Sequence, residues 1–130
     1  METPIISAVN KDRFAQEIGI ELVTVSAGYA KTRMTIEPRH LNGLDLGHGG
    51  TIFTLADYAF AAASNSHGVD AVAINITMSY FKAARAGDVL TAEAKEIALS
   101  RKIGTYAISV FNQHQDTVAF MQGTAFRKTV

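Results

Sequence analysis

The chain contains no cysteine. Disulfide staples and thiolate metal sites are therefore excluded, and the composition is compatible with a reducing compartment. It carries no excess of either charge, since 12 Lys and Arg residues balance 12 Asp and Glu. That balance leaves no electrostatic footprint for nucleic acid or an anionic membrane, although it allows a local basic patch for one phosphate-bearing ligand. The four histidines, His40, His48, His67 and His114, lack metal-ligand spacing, so no metal site is expected. Long hydrophobic runs are missing too: the longest, residues 52 to 63, contains Asp57 and is too short to cross a bilayer. The N-terminal METPIISAVNKDRF lacks the basic stretch and apolar core of a secretory signal. These absences lead us to expect a soluble, cytoplasmic protein with no nucleic-acid or membrane partner.

What is present is a chain of 130 residues, 48% hydrophobic and 18% charged, which fits one globular domain spanning residues 1–130. No internal repeat, linker or low-complexity tract interrupts it. Residues 10–18 read as a short helix, with Asn10 as N-cap, Phe14 and Ile18 on one face, and Gly19 able to end it. Residues 20–27 and 29–36 read as a hairpin turning at Gly28; Ala30, Met34 and Ile36 take one side of its second strand, Lys31 and Arg33 the other. Residues 37–48 form a loop punctuated by Pro38, Gly43 and Gly47. The following GGTIFTLADYAFAAASNSHG favours a helix of roughly 16 residues, about 24 Å long. Asn65, Ser66 and Gly68 supply its stop signal, and His67 is well placed at its C-terminus.

Four strand-like segments complete the chain, at residues 71–81, 89–99, 105–111 and 118–127. Strands with one long helix make an α+β domain. A helix apolar on almost every side must be buried on almost every side. A curved antiparallel sheet wrapped around one long central helix satisfies that demand. Such a sheet still leaves an edge and one helix face to be covered, which favours dimerisation.

Asp57 is the only charged side chain between His48 and His67. A carboxylate on an apolar helix is costly to bury unless it is paired or opens onto a cleft. Such groups have raised pKa values and serve as bases or nucleophiles. The alternative is an Asp that hydrogen-bonds neighbouring backbone or an Arg. His48-Gly49-Gly50 stands at the helix start, where free amides and positive potential gather and missing Cβ atoms allow a ligand oxygen to approach. That is the chemistry of an oxyanion hole; a glycine pair serving a tight turn is the plainer reading. His48 can orient the loop without its imidazole being catalytic. Asn42 could hydrogen-bond a substrate carbonyl, or simply occupy a turn beside Gly43.

Spacing sharpens the catalytic reading. Gly49 and Asp57 are eight residues apart, so about 12 Å separates them along a helix. One carbonyl cannot touch both, because each contact needs roughly 3 Å. If both act on one substrate, they come from two antiparallel copies of this helix, giving two composite sites per homodimer.

The segment NGLDLGHGGTIFTLADYAFAAASNS resembles the hot-dog-fold thioesterases of the phenylacetyl-CoA (phenylacetic acid degradation) type. The resemblance is carried by Asn42-Gly43, His48-Gly49-Gly50, Leu55-Ala56-Asp57 and Asn65-Ser66, and extends weakly over most of the chain. It implies a hot-dog fold, a dimer that can pair into a tetramer, and hydrolysis of acyl- or aryl-CoA without a separate cofactor, coenzyme A being part of the substrate. It places the catalytic carboxylate at Asp57 and the carbonyl-polarising amide at Gly49, with support from Asn42. In the related esterases of the menaquinone pathway the acid is commonly Glu, so Asp57 favours the phenylacetyl-CoA type.

The chain also departs from that pattern. Ala83-Ala84 stands where a Pro is common, and Lys11 where some relatives carry Asn. Ala73 matches a Ser or Thr that assists water in some relatives, so Asn75 or Thr77 would have to take that role. Gly50, Phe53 and Tyr58 are further candidates for substrate contact, with Phe60 and Phe81 as other aromatic candidates for an acyl pocket. Lys82 and Arg85, and beyond them Arg101, Lys102, Arg127 and Lys128, are candidates for the CoA phosphates. Two rival functions stand beside hydrolysis: a hot-dog hydratase or dehydratase, which needs a His paired with an acid, and a non-catalytic acyl-CoA-binding module.

Overall fold

Local capping and turn chemistry divide the chain into its elements. The computed structural model describes Val9 and residues 12–128. The first helix, α1 (Arg13–Glu17), starts at Asp12, whose Oδ1 accepts the Ala15 N–H at 2.9 Å. The expected cap at Asn10, and Lys11, lie outside the described residues. Gly19 follows at φ +84°, a left-handed conformation that glycine adopts without strain. Then come β1 (Glu21–Ser26) and β2 (Tyr29–Thr35), a hairpin turning at Gly28 (φ +70°). A 3-10 turn, Pro38–His40, leads through the loop to the long helix α2 (Gly49–Ser64). Strands β3 (Ala71–Tyr80), β4 (Val89–Leu99), β5 (Ile103–Phe111) and β6 (Thr117–Arg127) follow.

All six strands join one antiparallel sheet in the order β1-β2-β4-β5-β6-β3. Irregularities at Leu22/Thr24, Ala73/Asn75, Glu96/Ala98 and Val110/Phe111 add local bend and twist, which curls the sheet around α2. Small residues on the inner face, Ala92, Ala94, Ala119 and Ala125, let the helix sit close. Its Ile52, Leu55 and Phe60 are almost fully buried, worth about 1.5–3 kcal/mol each in water-excluded surface. A buried hydrogen bond from Thr32 Oγ1 to the Leu55 carbonyl (2.8 Å) ties β2 to the helix. The α+β architecture expected from the sequence is thus present, with α2 at its centre.

One sheet edge and one helix stripe are among the uncovered features. Strand β3 lies at one edge of the sheet, and Val72, Ile74 and Tyr80 on it are large and exposed. On α2, the stripe Gly50, Phe53, Thr54, Asp57 and Ala61 is only partly buried or exposed, while the remaining faces pack on the sheet.

Candidate active site

The entrance of α2 is organised by histidine. His48 is the N-cap, and its Nδ1 accepts the Gly50 N–H at 2.8 Å. Its own N–H donates to the His40 carbonyl (2.7 Å), and its carbonyl accepts from Thr51 (3.0 Å) and Ile52 (3.2 Å). His40 is buried and spans two elements: Nδ1 accepts the Glu37 N–H (2.9 Å), which leaves Nε2 to donate to the Ile18 carbonyl (2.7 Å). In this arrangement no acceptor among the described residues takes the Gly49 N–H. Of the two glycine amides, Gly50 is consumed by its cap and Gly49 is free, at the positive end of the helix.

That amide borders a cavity of about 330 Å³ lined by Asn42, Leu46, Gly47, Gly49, Ile52 and the segment from Tyr80 to Ala84. Asn42 is among the residues that line it. Its Oδ1 accepts the N–H groups of Leu44 (2.9 Å) and Leu46 (3.2 Å), which folds the loop. Its Nδ2 is left without a protein acceptor among the described residues. The loop-fixing reading of Asn42 is therefore the observed one, and the residue stands at the cavity. Gly47 donates to the Ala84 carbonyl (2.7 Å), and a Cβ on it would stand 3.1 Å from the Ala84 Cβ, so this contact needs glycine facing a small residue.

Asp57 lies on the uncovered stripe of α2, two turns beyond Gly49. No donor among the described residues reaches its carboxylate, so the paired-Asp alternative is absent within the described chain. Burial, and secondarily the charge of Asp12, raises its pKa above the ordinary carboxylate value. Desolvation raises the Tyr80 hydroxyl likewise.

The helix carrying this amide and this carboxylate falls within a stretch of sequence that matches a known family. Residues 46–119, more than half of the chain, match the Thioesterase superfamily. The chain belongs to this superfamily. It is 40% identical over 116 residues to the acyl-coenzyme A thioesterase PaaI of Escherichia coli, covering 89% of this chain and 83% of that protein. The solved structure of E. coli PaaI, from the phenylacetic acid degradation operon, superposes with a TM-score of 0.91 at 38% identity, over 95% of this chain and 89% of that one. A variant of the phenylacetic acid degradation protein PaaI from Thermus thermophilus gives 0.86 at 37% identity, over 89% and 99%. A Streptococcus mutans protein solved with acetyl CoA gives 0.81 at 28% identity, over 85% and 89%. The fold is the hot-dog fold.

Within this thioesterase-superfamily chain the remaining candidates separate. Phe81 and Lys82 line the cavity, but the Lys82 ammonium is held by Asp116 at 2.7 Å. Arg85 is exposed just beyond it, its backbone N–H bound to Asp88. Phe53 sits on the uncovered stripe, outside the cavity lining. Tyr58 and Phe60 are core residues; the Tyr58 hydroxyl donates to the Val9 carbonyl. Arg127 Nη1 is bound to the Ser100 and Arg101 carbonyls, far along the sheet from the helix entrance.

Asn75 and Thr77 pair with Thr124 and Gln122 on the face of the sheet turned away from α2, whereas Ala73 pairs with the buried Ala125. Simple alternation puts all three on one face; the bulge between Ala73 and Asn75 separates them. Tyr80 was not singled out from sequence, although its ring lines the cavity and its hydroxyl donates to the Gly49 carbonyl at 2.9 Å. An aromatic ending a strand is the only local signal it carries.

Proposed function

We propose that the protein hydrolyses acyl-CoA thioesters, with an aryl or phenylacetyl-like acyl group as the preferred class, at composite sites shared by two copies of the chain. One observation carries the reading: Gly49, whose N–H is acceptor-free among the described residues, lines a cavity, while the unpaired carboxylate of the same helix lies about 12 Å further along it. One chain thus supplies the two halves of a hydrolytic site at a separation one carbonyl cannot bridge. A second, antiparallel α2 from a twofold-related copy resolves the mismatch. The exposed β3 edge and the uncovered α2 stripe provide the surface such a copy would cover. The sequence likeness to E. coli acyl-coenzyme A thioesterase PaaI supports the substrate class.

In this mechanism the thioester carbonyl accepts a hydrogen bond from Gly49 N–H, aided by the helix dipole and by Asn42 Nδ2. Negative charge developing on that oxygen is met by donors already oriented. Asp57 of the second copy completes the reaction by one of two balanced routes. It removes a proton from water, whose oxygen attacks the carbonyl carbon; the C–S bond then breaks and the CoA thiolate is protonated. Alternatively its oxygen attacks directly, expelling thiolate and forming an anhydride that water cleaves. A carboxyl with a raised pKa is a stronger base, which favours the first role without excluding the second. The hydratase chemistry is less well served: His48 Nδ1 is engaged with Gly50 N–H, and no carboxylate among the described residues pairs with His48.

A thiol-trapping assay across aryl and acyl CoAs tests the activity; release of thiol from no member would favour a binding module instead. Gly49→Pro tests the amide. Proline is favoured at the first helical position, and the extended His48 (φ −62°, ψ 133°) accommodates a following proline, so the substitution deletes the N–H and keeps the helix start, while its ring adds carbons beside Tyr80. Mixing inactive Gly49→Pro with inactive Asp57→Ala should restore about a quarter of wild-type turnover, because each mixed dimer holds one intact site. No restoration on subunit exchange would refute composite sites. Isotope from labelled water entering Asp57 in a single turnover would select direct attack.

A further inference from the structure

We infer that Tyr80 is a positioning residue for the Gly49 amide: its hydroxyl, by holding the Gly49 carbonyl, fixes the direction in which the Gly49 N–H points. The inference rests on reading Gly49 as the donor to the thioester carbonyl. Two adjacent glycines make a poor frame for a directional hydrogen bond. Glycine has the widest torsional range, and the Gly49 N–H has no intrahelical acceptor to hold it.

The structure supplies restraint from outside the helix. Upstream, the Gly47 and His48 N–H groups are held by the carbonyls of Ala84 and His40, each at 2.7 Å. Downstream, the peptide joining Gly49 to Gly50 is gripped at both ends. Its N–H donates to His48 Nδ1 (2.8 Å), and its carbonyl accepts the Tyr80 O–H (2.9 Å). The Gly49 torsions join this peptide to the His48–Gly49 peptide, which carries the free N–H and whose carbonyl accepts from Thr51 (3.0 Å) and Ile52 (3.2 Å), so the direction of that N–H depends on both. Of the two side-chain grips, His48 is local, whereas Tyr80 reaches from β3, 31 residues along the chain.

The Tyr80 backbone is anchored by pairing with Ala119 at the end of the β3–β6 ladder, although its side chain is half exposed. Its ring carbons and hydroxyl stand 3.5–3.7 Å from where a Gly49 Cβ would be, and Tyr80 lines the same cavity as Gly49. Burial raises the hydroxyl pKa, so it remains a donor through neutral and mildly alkaline pH. Ring and hydroxyl therefore have separable duties: the ring bounds the cavity, and the hydroxyl orients the peptide. Tyr80→Phe removes the second and keeps the first.

In Tyr80→Phe, kcat for phenylacetyl-CoA should fall about ten-fold or more while KM changes less than about two-fold, since alignment rather than uniform binding is lost. A spectroscopic readout reports the cause. The ¹³C-labelled carbonyl of phenylacetyl-CoA bound to Asp57→Asn should absorb at lower infrared frequency than the free ester, and adding Tyr80→Phe should reduce that shift. An undiminished shift together with kcat within about two-fold of wild type would overturn the role of Tyr80. Absence of any shift with Tyr80 intact would instead overturn Gly49 as the donor, so the two failures are distinguishable.

Discussion

Gly123→Ala tests how tightly α2, the carrier of Asp57, is seated on the sheet. Gly123 lies on the inner face of β6, and a Cβ built there would stand 2.8 Å from two carbons of the Phe60 ring. That is roughly 0.7 Å short of ordinary carbon contact, on the steep side of the dispersion well. Phe60 has no empty space to retreat into: it is 1% exposed and packs against Tyr106 with ring centroids 5.7 Å apart. Overpacking of this kind costs about 1–3 kcal/mol, which for a domain of this size lowers the thermal midpoint by roughly 4–12 °C. The assay is thermal or urea unfolding at fixed protein concentration, because any oligomer makes the midpoint concentration-dependent. Phe60→Leu removes the offending ring atoms, so the double variant should be more stable than the sum of the singles implies, by about 1 kcal/mol. A Gly123→Ala protein within about 0.5 kcal/mol of wild type, with no coupling to Phe60, would refute the close approach of β6 to α2.

Other consequences concern the site and its supports. Asp57→Asn should lower turnover by several orders of magnitude yet stabilise the fold at neutral pH. The Asp57 pKa is raised in the folded chain, so its ionised form costs stability as pH rises through that value; the gain over wild type should shrink as pH falls below it, as denaturant titrations at several pH values would show. Asn42→Asp retains an oxygen for the Leu44 and Leu46 N–H groups but removes the Nδ2 donor, so kcat should drop by about 10²-fold while the circular dichroism spectrum is unchanged. At the far end of α2, burial opposes the charge of Glu96, but hydrogen bonds from His67 (2.7 Å) and Tyr106 (2.8 Å) outweigh it and hold the pKa below the ordinary value. Its stabilising contribution is present at neutral pH and lost as pH falls through the folded pKa. Glu96→Gln should therefore be destabilised by about 1–2 kcal/mol near neutrality and flatten the acid limb of the stability profile.

The sequence by itself determined the elements and the residues that stand out against them. The segment GGTIFTLADYAFAAASNSHG reads as a helix of roughly 16 residues because its alanines favour one and Asn65, Ser66 and Gly68 signal its stop; the observed α2 runs from Gly49 to Ser64. Asp57 was legible because a single charge on an apolar helix needs a reason, and Gly49 because glycine beside a histidine at a helix start exposes backbone. Only the tertiary structure decided which amide is free. That choice hangs on a His48 side chain folding back on Gly50 and on Tyr80 arriving from a strand 31 residues away. It also decided that Asn75 and Thr77 face away from the helix while Ala73 faces it, because one extra residue in β3 breaks the alternation. Periodicity encodes which residues are buried along an element; it does not encode the register and bulges that set which distant side chain meets which peptide.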